Sequence, residues 1–206
     1  MDKITSYISS FLTLDNDHLT PVAGQEESMP DVRPSVGPEV GKFLGLLVRL
    51  IRAGRVLELG TSLGYSAIWL GEALRETGGR LISVEINQEL FHHAQKNVLA
   101  AGLSDVVDLV LGDARSVVAR LTGPFDLVFQ DSDKGLYPDL LDRCIELTRL
   151  HGLIVADDAL FKALGRPDRL SDPVHRYNQL VFSYPRLYST ILPVGDGVTI
   201  SVKIQT

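Results

Sequence analysis

Residues 55–60 read RVLELG, a short apolar run that stops at a glycine, and the chain repeats this unit four more times. The later runs are RLISVEI (80–86), VVDLVLGD (106–113), FDLVFQD (125–131) and GLIVADD (152–158). Their starts lie 25, 26, 19 and 27 residues apart, the pitch of strand–helix units and not of hairpins. The runs are apolar almost throughout, as expected of strands buried on both faces of a parallel sheet. Amphipathic helices fill the intervals. After the second run Asn87 is placed as an N-cap and Glu89 suits the first turn. Leu90, Phe91, Ala94, Val98 and Ala101 share one face, and Gly102 ends the helix.

The two ends depart from this rhythm. Residues 12–38 carry Pro21, Gly24, Pro30, Pro34, Gly37 and Pro38 among polar residues and read as a long irregular segment. A helix from Glu39 to Arg52 then leads into the first strand. Near the C-terminus RLYSTILP and VTISVKI flank the turn Val194–Gly197, which predicts an antiparallel hairpin at one sheet edge. The expectation is a doubly wound α/β fold with ligands beyond the carboxyl ends of the strands.

The chain has 206 residues, a length that suits one domain over 1–206, with 1–38 as a cap or lid and 39–206 as the α/β core. Acids outnumber bases, 26 against 20, for a net charge of −6. This argues against a nucleic-acid partner, which needs clustered Lys and Arg. The single cysteine, Cys144, leaves no intramolecular disulfide and no cysteine-based zinc site. The first ten residues, MDKITSYISS, lack the apolar core of a signal peptide. Phe43–Ile51 is interrupted by Arg49 and too short to span a bilayer. A soluble, cytoplasmic protein without a membrane partner is therefore expected.

The chemistry is expected where the strands end. Gly60 and Gly64 make the first turn, which departs from the G-x-G-x-x-G of dinucleotide binders. Glu58, just before it, would repel a pyrophosphate but attract a cation, so S-adenosylmethionine suits the turn better than NAD. Glu85 can accept from both hydroxyls of a ribose, and Gly112-Asp113-Ala114 falls where an adenine would lie. Each feature also has a plainer explanation, a tight turn or a helix-flanking acid. Strand four ends in Asp131-Ser-Asp133-Lys134 and strand five in Asp157-Asp158. If these strands are neighbours, about 4.8 Å apart, their carboxylates share one point and suit a hard divalent cation. Asp157 and Asp158 could equally cap a following helix.

At this point the sequence resembles the cation-dependent small-molecule O-methyltransferases, the catechol and caffeoyl-CoA type. The likeness rests on VLELGTSLGYSAIWL, ISVEIN, LVLGDA, FDLVFQDSDKGLYPDLL, GLIVADDALF and LPVGDGVTISVK and runs from about Met29 to the end. It implies a Rossmann-like, seven-stranded, mostly parallel sheet. Contacts to S-adenosylmethionine would come from Glu58, Gly60, Tyr65, Ser66, Glu85, Asp113, Ala114 and Asp131. Asp131, Asp157 and Asp158 would hold a divalent cation, Mg²⁺ first and Ca²⁺ or Mn²⁺ after it. Asp131 and Lys134 would be catalytic, with Lys134 either taking the proton of the acceptor hydroxyl or stabilising the phenolate as a cation. The family's usual asparagine is Asp158 here, and its Gly-Gly before strand five is His151-Gly152. The resemblance further implies a catechol-type acceptor and a homodimer.

Three other functions compete: a dinucleotide-dependent oxidoreductase, a methyltransferase with a non-catechol acceptor, and a binding module without activity. Around the site, Ala159–Pro173 reads as a substrate-side loop that covers the site together with Pro21–Pro38. Arg33, Arg166, Arg169, His175, Arg176 and Tyr177 are candidate substrate contacts. Trp69 could border an adenine or fill the core. His92 and His93 have no metal-ligand partner, and Cys144 reads as packing.

Overall fold

The computed structural model describes residues 7, 8, 10–12, 18–29 and 32–206. In chain order these form α1 (Leu19–Ser28), α2 (Gly37–Leu50), β1 (Arg55–Leu59), α3 (Tyr65–Thr77), β2 (Arg80–Glu85), α4 (Gln88–Ala100) and β3 (Val107–Leu111). They continue with α5 (Ala114–Arg120), β4 (Phe125–Gln130), α6 (Leu136–Leu147), β5 (Thr148–Ala156), α7 (Asp168–Ser183), β6 (Leu187–Leu192) and β7 (Val198–Lys203). The seven strands make one sheet in the order β3-β2-β1-β4-β5-β7-β6. The first five are parallel, and the hairpin β6–β7 adds antiparallel to β5. The doubly wound reading and its edge hairpin therefore hold.

Alternation along the strands divides the core in two. Val56, Leu81, Leu127, Phe129 and Val155 face one layer with α2, α3 and α4. Leu57, Leu59, Val84, Val128 and Ile154 face the other with α5, α6 and α7. This explains the continuous apolar runs, because successive side chains enter opposite layers and both are dry. Cys144 is fully buried in the second layer, and Trp69 belongs to the first. A Cβ on Gly41 of α2 would lie 2.3 Å from the Trp69 ring, so that ring is a packing element between α2 and α3. Asn87 caps α4 as expected, its side chain accepting from the amides of Glu89 and Leu90 at 2.9 and 3.1 Å.

Three expectations need correction. Part of the segment 12–38 is the helix α1, although 13–17, 30 and 31 lie outside the described residues. Pro21 falls in its first turn, where a proline costs no hydrogen bond, and Leu19 and Val22 are buried. Strand β5 begins at Thr148, not 152, and His151 within it adopts a left-handed φ of 61°. The loop expected through Pro173 stops at residue 167. There α7 begins, held by the buried face Ser171, Val174, Tyr177 and Val181 despite Pro173 inside it.

Candidate active site

Strand register brings the polar ends into one row. Leu59 pairs with Val84 and with Gln130, Glu85 pairs with Leu111, and Gln130 pairs with Ala156. The next residues continue the ladder: Gly60 N–H donates to Val84 O (3.0 Å), Gly112 to Glu85 O (2.8 Å), Asp131 to Leu59 O (2.9 Å) and Asp157 to Gln130 O (3.1 Å). Every terminal residue of the row is thus fixed by its own backbone amide. Gly60 has a φ of 104°, and a Cβ there would sit 2.4 Å from the Asp131 carbonyl oxygen. Its glycine is therefore needed by the neighbouring strand end as well as by the turn.

A cavity of about 590 Å³ lies over this row, at the β1–β4 boundary where strand order reverses. Its walls are Gly60–Ser62 and Ser66, Glu85–Asn87, Gly112–Arg115, Asp131–Leu136 and Asp158, with Val32–Val36 opposite. Glu85 is nearly buried, accepting from the Ser62 amide at 2.7 Å and the Asn87 amide at 2.8 Å. It is not a free helix-flanking acid. Asp113 caps α5 by accepting from the Ser116 amide at 3.0 Å while also lining the cavity.

Glu58 and Tyr65 do not line the cavity; both are buried behind it. Burial pushes the Glu58 carboxyl up to about 8; the charges of Asp131 and Glu85 add to the rise, and the hydrogen bond from Ser83 opposes it. Between 4.5, the ordinary value, and about 8 the folded chain holds a proton that the unfolded chain has released. Stability from this group is full below the lower value and is lost as pH rises through the upper one. Glu58→Gln is expected to flatten that dependence. Relative to wild type it gains on the order of 2 kcal/mol between about pH 6 and about pH 9. Thermal unfolding across pH checks this, and parallel wild-type and variant curves would refute it.

At the far end one carboxylate oxygen each from Asp131, Asp157 and Asp158 lies within 4.8 Å of the others. Asp157 is nearly buried, and its Oδ1 has no hydrogen-bond partner. Burial, then the charges of Asp131 and Asp158, push its carboxyl well above the usual range, with Lys134 pulling the other way. Neither Asp157 nor Asp158 caps a helix, since α7 begins only at Asp168. Asp158 takes a left-handed φ of 65°.

Lys134 is buried beside this cluster. Its Nζ donates to Asp158 Oδ2 (2.7 Å), Asp131 Oδ1 (2.9 Å) and the Tyr137 hydroxyl (2.8 Å), which itself donates to Gln130 O at 2.8 Å. Burial would lower its pKa. Asp131, Tyr137 and Asp158 outweigh burial and hold the ammonium well above the ordinary lysine value. The Phe161 ring centroid lies 5.9 Å from Nζ.

Sequence reasoning missed Tyr137, Phe161 and the anchoring amide of Ser62. The only available signal was Tyr137 three residues after Lys134, one helical turn away. Of the candidate substrate contacts, only Arg33 lines the cavity. Tyr177 is fully buried, its hydroxyl accepting from Gln130 Nε2 at 3.3 Å, so the hydroxyl is committed to the core. Arg166 pairs with Asp196 at 2.6 Å, and Arg169, His175 and Arg176 are exposed away from the cavity.

Known proteins match along nearly the whole chain. The pattern of the O-methyltransferase family covers residues 19–204. A catechol O-methyltransferase of Niastella koreensis is 34% identical over 216 residues, spanning 98% of this chain and 96% of that protein. A caffeoyl-CoA O-methyltransferase of Eucalyptus gunnii is 32% identical over 80% of this chain and 72% of its own length. The crystal structure of a Streptomyces achromogenes O-methyltransferase involved in tomaymycin synthesis, in complex with S-adenosylmethionine, superposes with a TM-score of 0.85. It is 28% identical, covering 99% of this chain and 97% of that one. The sheet, the cavity at its switch point and these matches agree, and the chain belongs to the S-adenosylmethionine-dependent O-methyltransferases.

Proposed function

We propose that the enzyme methylates a hydroxyl of a catechol-type, vicinal dihydroxy-aromatic small molecule with the help of a divalent cation. The observation that carries this is the cluster of Asp131, Asp157 and Asp158 beside Lys134 at the end of the cavity. The residues fit a hard cation. All three donors are carboxylate oxygens, and Asp157 Oδ1 is buried without a protein partner, a costly state that a ligand relieves. Relatives named for catechol and for caffeoyl-CoA support the same acceptor chemistry.

In this reading Glu85 receives the ribose hydroxyls of the methyl donor, Asp113 and Ala114 border its adenine, and Gly60 and Ser66 line its path. Glu58 and Tyr65 support that wall from behind. Asp131, Asp157 and Asp158 hold the cation. When bound, it supplies Lewis acidity, lowering the acceptor hydroxyl's pKa from a phenol-like value of about 10. The cavity holds acceptor and donor in line, and most of the acceleration comes from that positioning. Lys134, beside those carboxylates and anchored by the Tyr137 hydroxyl, would act as an ammonium that stabilises the developing phenolate. The same reading takes 1–206 as one methyltransferase domain, 39–206 as its core and 1–38 as its cap.

Methyl transfer to a panel of catechols, with and without EDTA, tests this directly. Chelation is expected to cut turnover at least about a hundredfold, restored by added Mg²⁺ or Mn²⁺. Full activity in EDTA would remove the cation from the reading. Transfer only to acceptors without a vicinal diol would remove the catechol.

A further inference from the structure

We infer that Arg33 selects acceptors whose ring carries an anionic substituent, so that carboxylated catechols are preferred over neutral ones; this rests on the catechol reading above. Arg33 stands on the segment Val32–Val36, which walls the reacting end of the cavity. That segment is anchored on both sides of it. The Val32 amide donates to Met29 O at 2.9 Å, and the amide and hydroxyl of Ser35 both donate to the Glu26 carboxylate. Val32 and Val36 pack against the core. The backbone is thus fixed and the guanidinium is presented to the cavity.

Among the described residues three cationic side chains line this cavity, and two are already committed. Lys134 is enclosed by Asp131, Asp158 and Tyr137. Arg115 lies at the nucleoside end and pairs with Asp139 at 2.7 Å. Among the described residues Arg33 makes one long contact, Nη2 to Asp133 Oδ2 at 3.4 Å, with the two side chains 54% and 66% exposed. A solvent-exposed pair of that length is weak, whereas a carboxylate can engage two guanidinium N–H groups at once. Asp133 is itself held in place, its Oδ1 accepting from the Gly135 amide at 2.9 Å. It therefore orients Arg33 before an acceptor arrives.

Arg33 stands beside the residues that would seat the diol. Asp133 is the chain neighbour of Lys134 and lies two residues from Asp131. A diol seated at the carboxylates and Lys134 leaves the opposite side of its ring toward the Arg33–Asp133 rim. An ammonium substituent would meet Asp133 there only by displacing Arg33, and the guanidinium would repel it.

The test compares three acceptors that differ in one substituent: a dihydroxybenzoate with its carboxylate para to one hydroxyl, para-methylcatechol and aminoethylcatechol. Wild type is expected to favour the carboxylate over the methyl by roughly tenfold in kcat/KM, with the difference in KM. Arg33→Gln is expected to bring that ratio to about one and Arg33→Lys to keep part of it. Arg33→Glu is expected to reverse it in favour of the amine. Reversal is the decisive result, because a side chain with a merely structural role cannot invert substrate charge preference. A ratio unchanged in Arg33→Gln, or a wild-type preference for the amine, would overturn the inference while leaving the catechol reading intact. If none of the three is methylated while another class of acceptor is, the catechol reading fails and the inference falls with it.

Discussion

Replacing Asp131 by asparagine is expected to lower kcat/KM for a catechol by at least about a hundredfold and to weaken divalent-cation binding in step. The size follows from the number of tasks on one side chain. Asp131 supplies one of the three clustered carboxylates, accepts from Lys134 at 2.9 Å and lines the cavity. Asparagine keeps the volume, and the backbone amide bond to Leu59 is unaffected. The loss is therefore chemical and not a failure to fold. Calorimetric titration with Mn²⁺ and steady-state kinetics at saturating Mg²⁺ measure the two effects. Asp142→Asn serves as a control, since that exposed acid accepts from the Tyr184 hydroxyl and does not line the cavity. Asp131→Asn activity within tenfold of wild type would dissociate the carboxylate cluster from the reaction.

The strand ends were legible because buried parallel strands announce themselves as apolar runs, and a polar residue at the end of such a run has little to do in the core. Glu85, Asp131 and Asp157 were located that way. What the sequence does not contain is register. That Gly60, Glu85, Asp131 and Asp157 stand in one transverse row depends on the pairings of Leu59, Gln130 and Ala156, which are set by packing in both layers. Nor does one chain reveal that Gly60 is tied to Asp131 by a close backbone approach. Glu58 shows the opposite limit. Its position at the end of β1 suggested a ligand contact, but period-two alternation turns it into the first core layer, behind the cavity wall. Proline and glycine misled in α1 because their helix-breaking signal depends on position, and Pro21 sits in the first turn, where it breaks nothing.

Tyr137 is the residue that most changes how the site works. Lys134 alone, three residues beyond Asp131, could be a base waiting for a proton. Tyr137 makes that role harder to hold. Its hydroxyl accepts from Nζ while donating to Gln130 O, so the third N–H of the ammonium is fixed by a buried partner. With the other two N–H groups on Asp131 and Asp158, the charged form is satisfied in full. Deprotonation would take that charge away from two half-buried carboxylates.

Lys134→Met is accordingly expected to cost about two to three orders of magnitude in kcat, the range for loss of a preorganised charge at a developing oxyanion. The pH dependence separates the two roles. A general base must lose its proton, so its rate limb would vanish in the variant. A fixed ammonium keeps its proton across neutral pH; Asp131, Tyr137 and Asp158 favour the charged form, and a cation on the same carboxylates would oppose it. Removing it should lower the plateau and leave the shape of the neutral and acidic limbs unchanged. Arg is the conservative comparison, retaining the charge without any accessible neutral form. Lys134→Arg is expected to recover at least about tenfold over Lys134→Met, less than wild type because a planar fork does not match three converging acceptors. Kinetics from about pH 6 to about pH 9 on the three proteins decides the matter. Equal inactivity of the Arg and Met variants, together with loss of a rising limb, would assign Lys134 as the base.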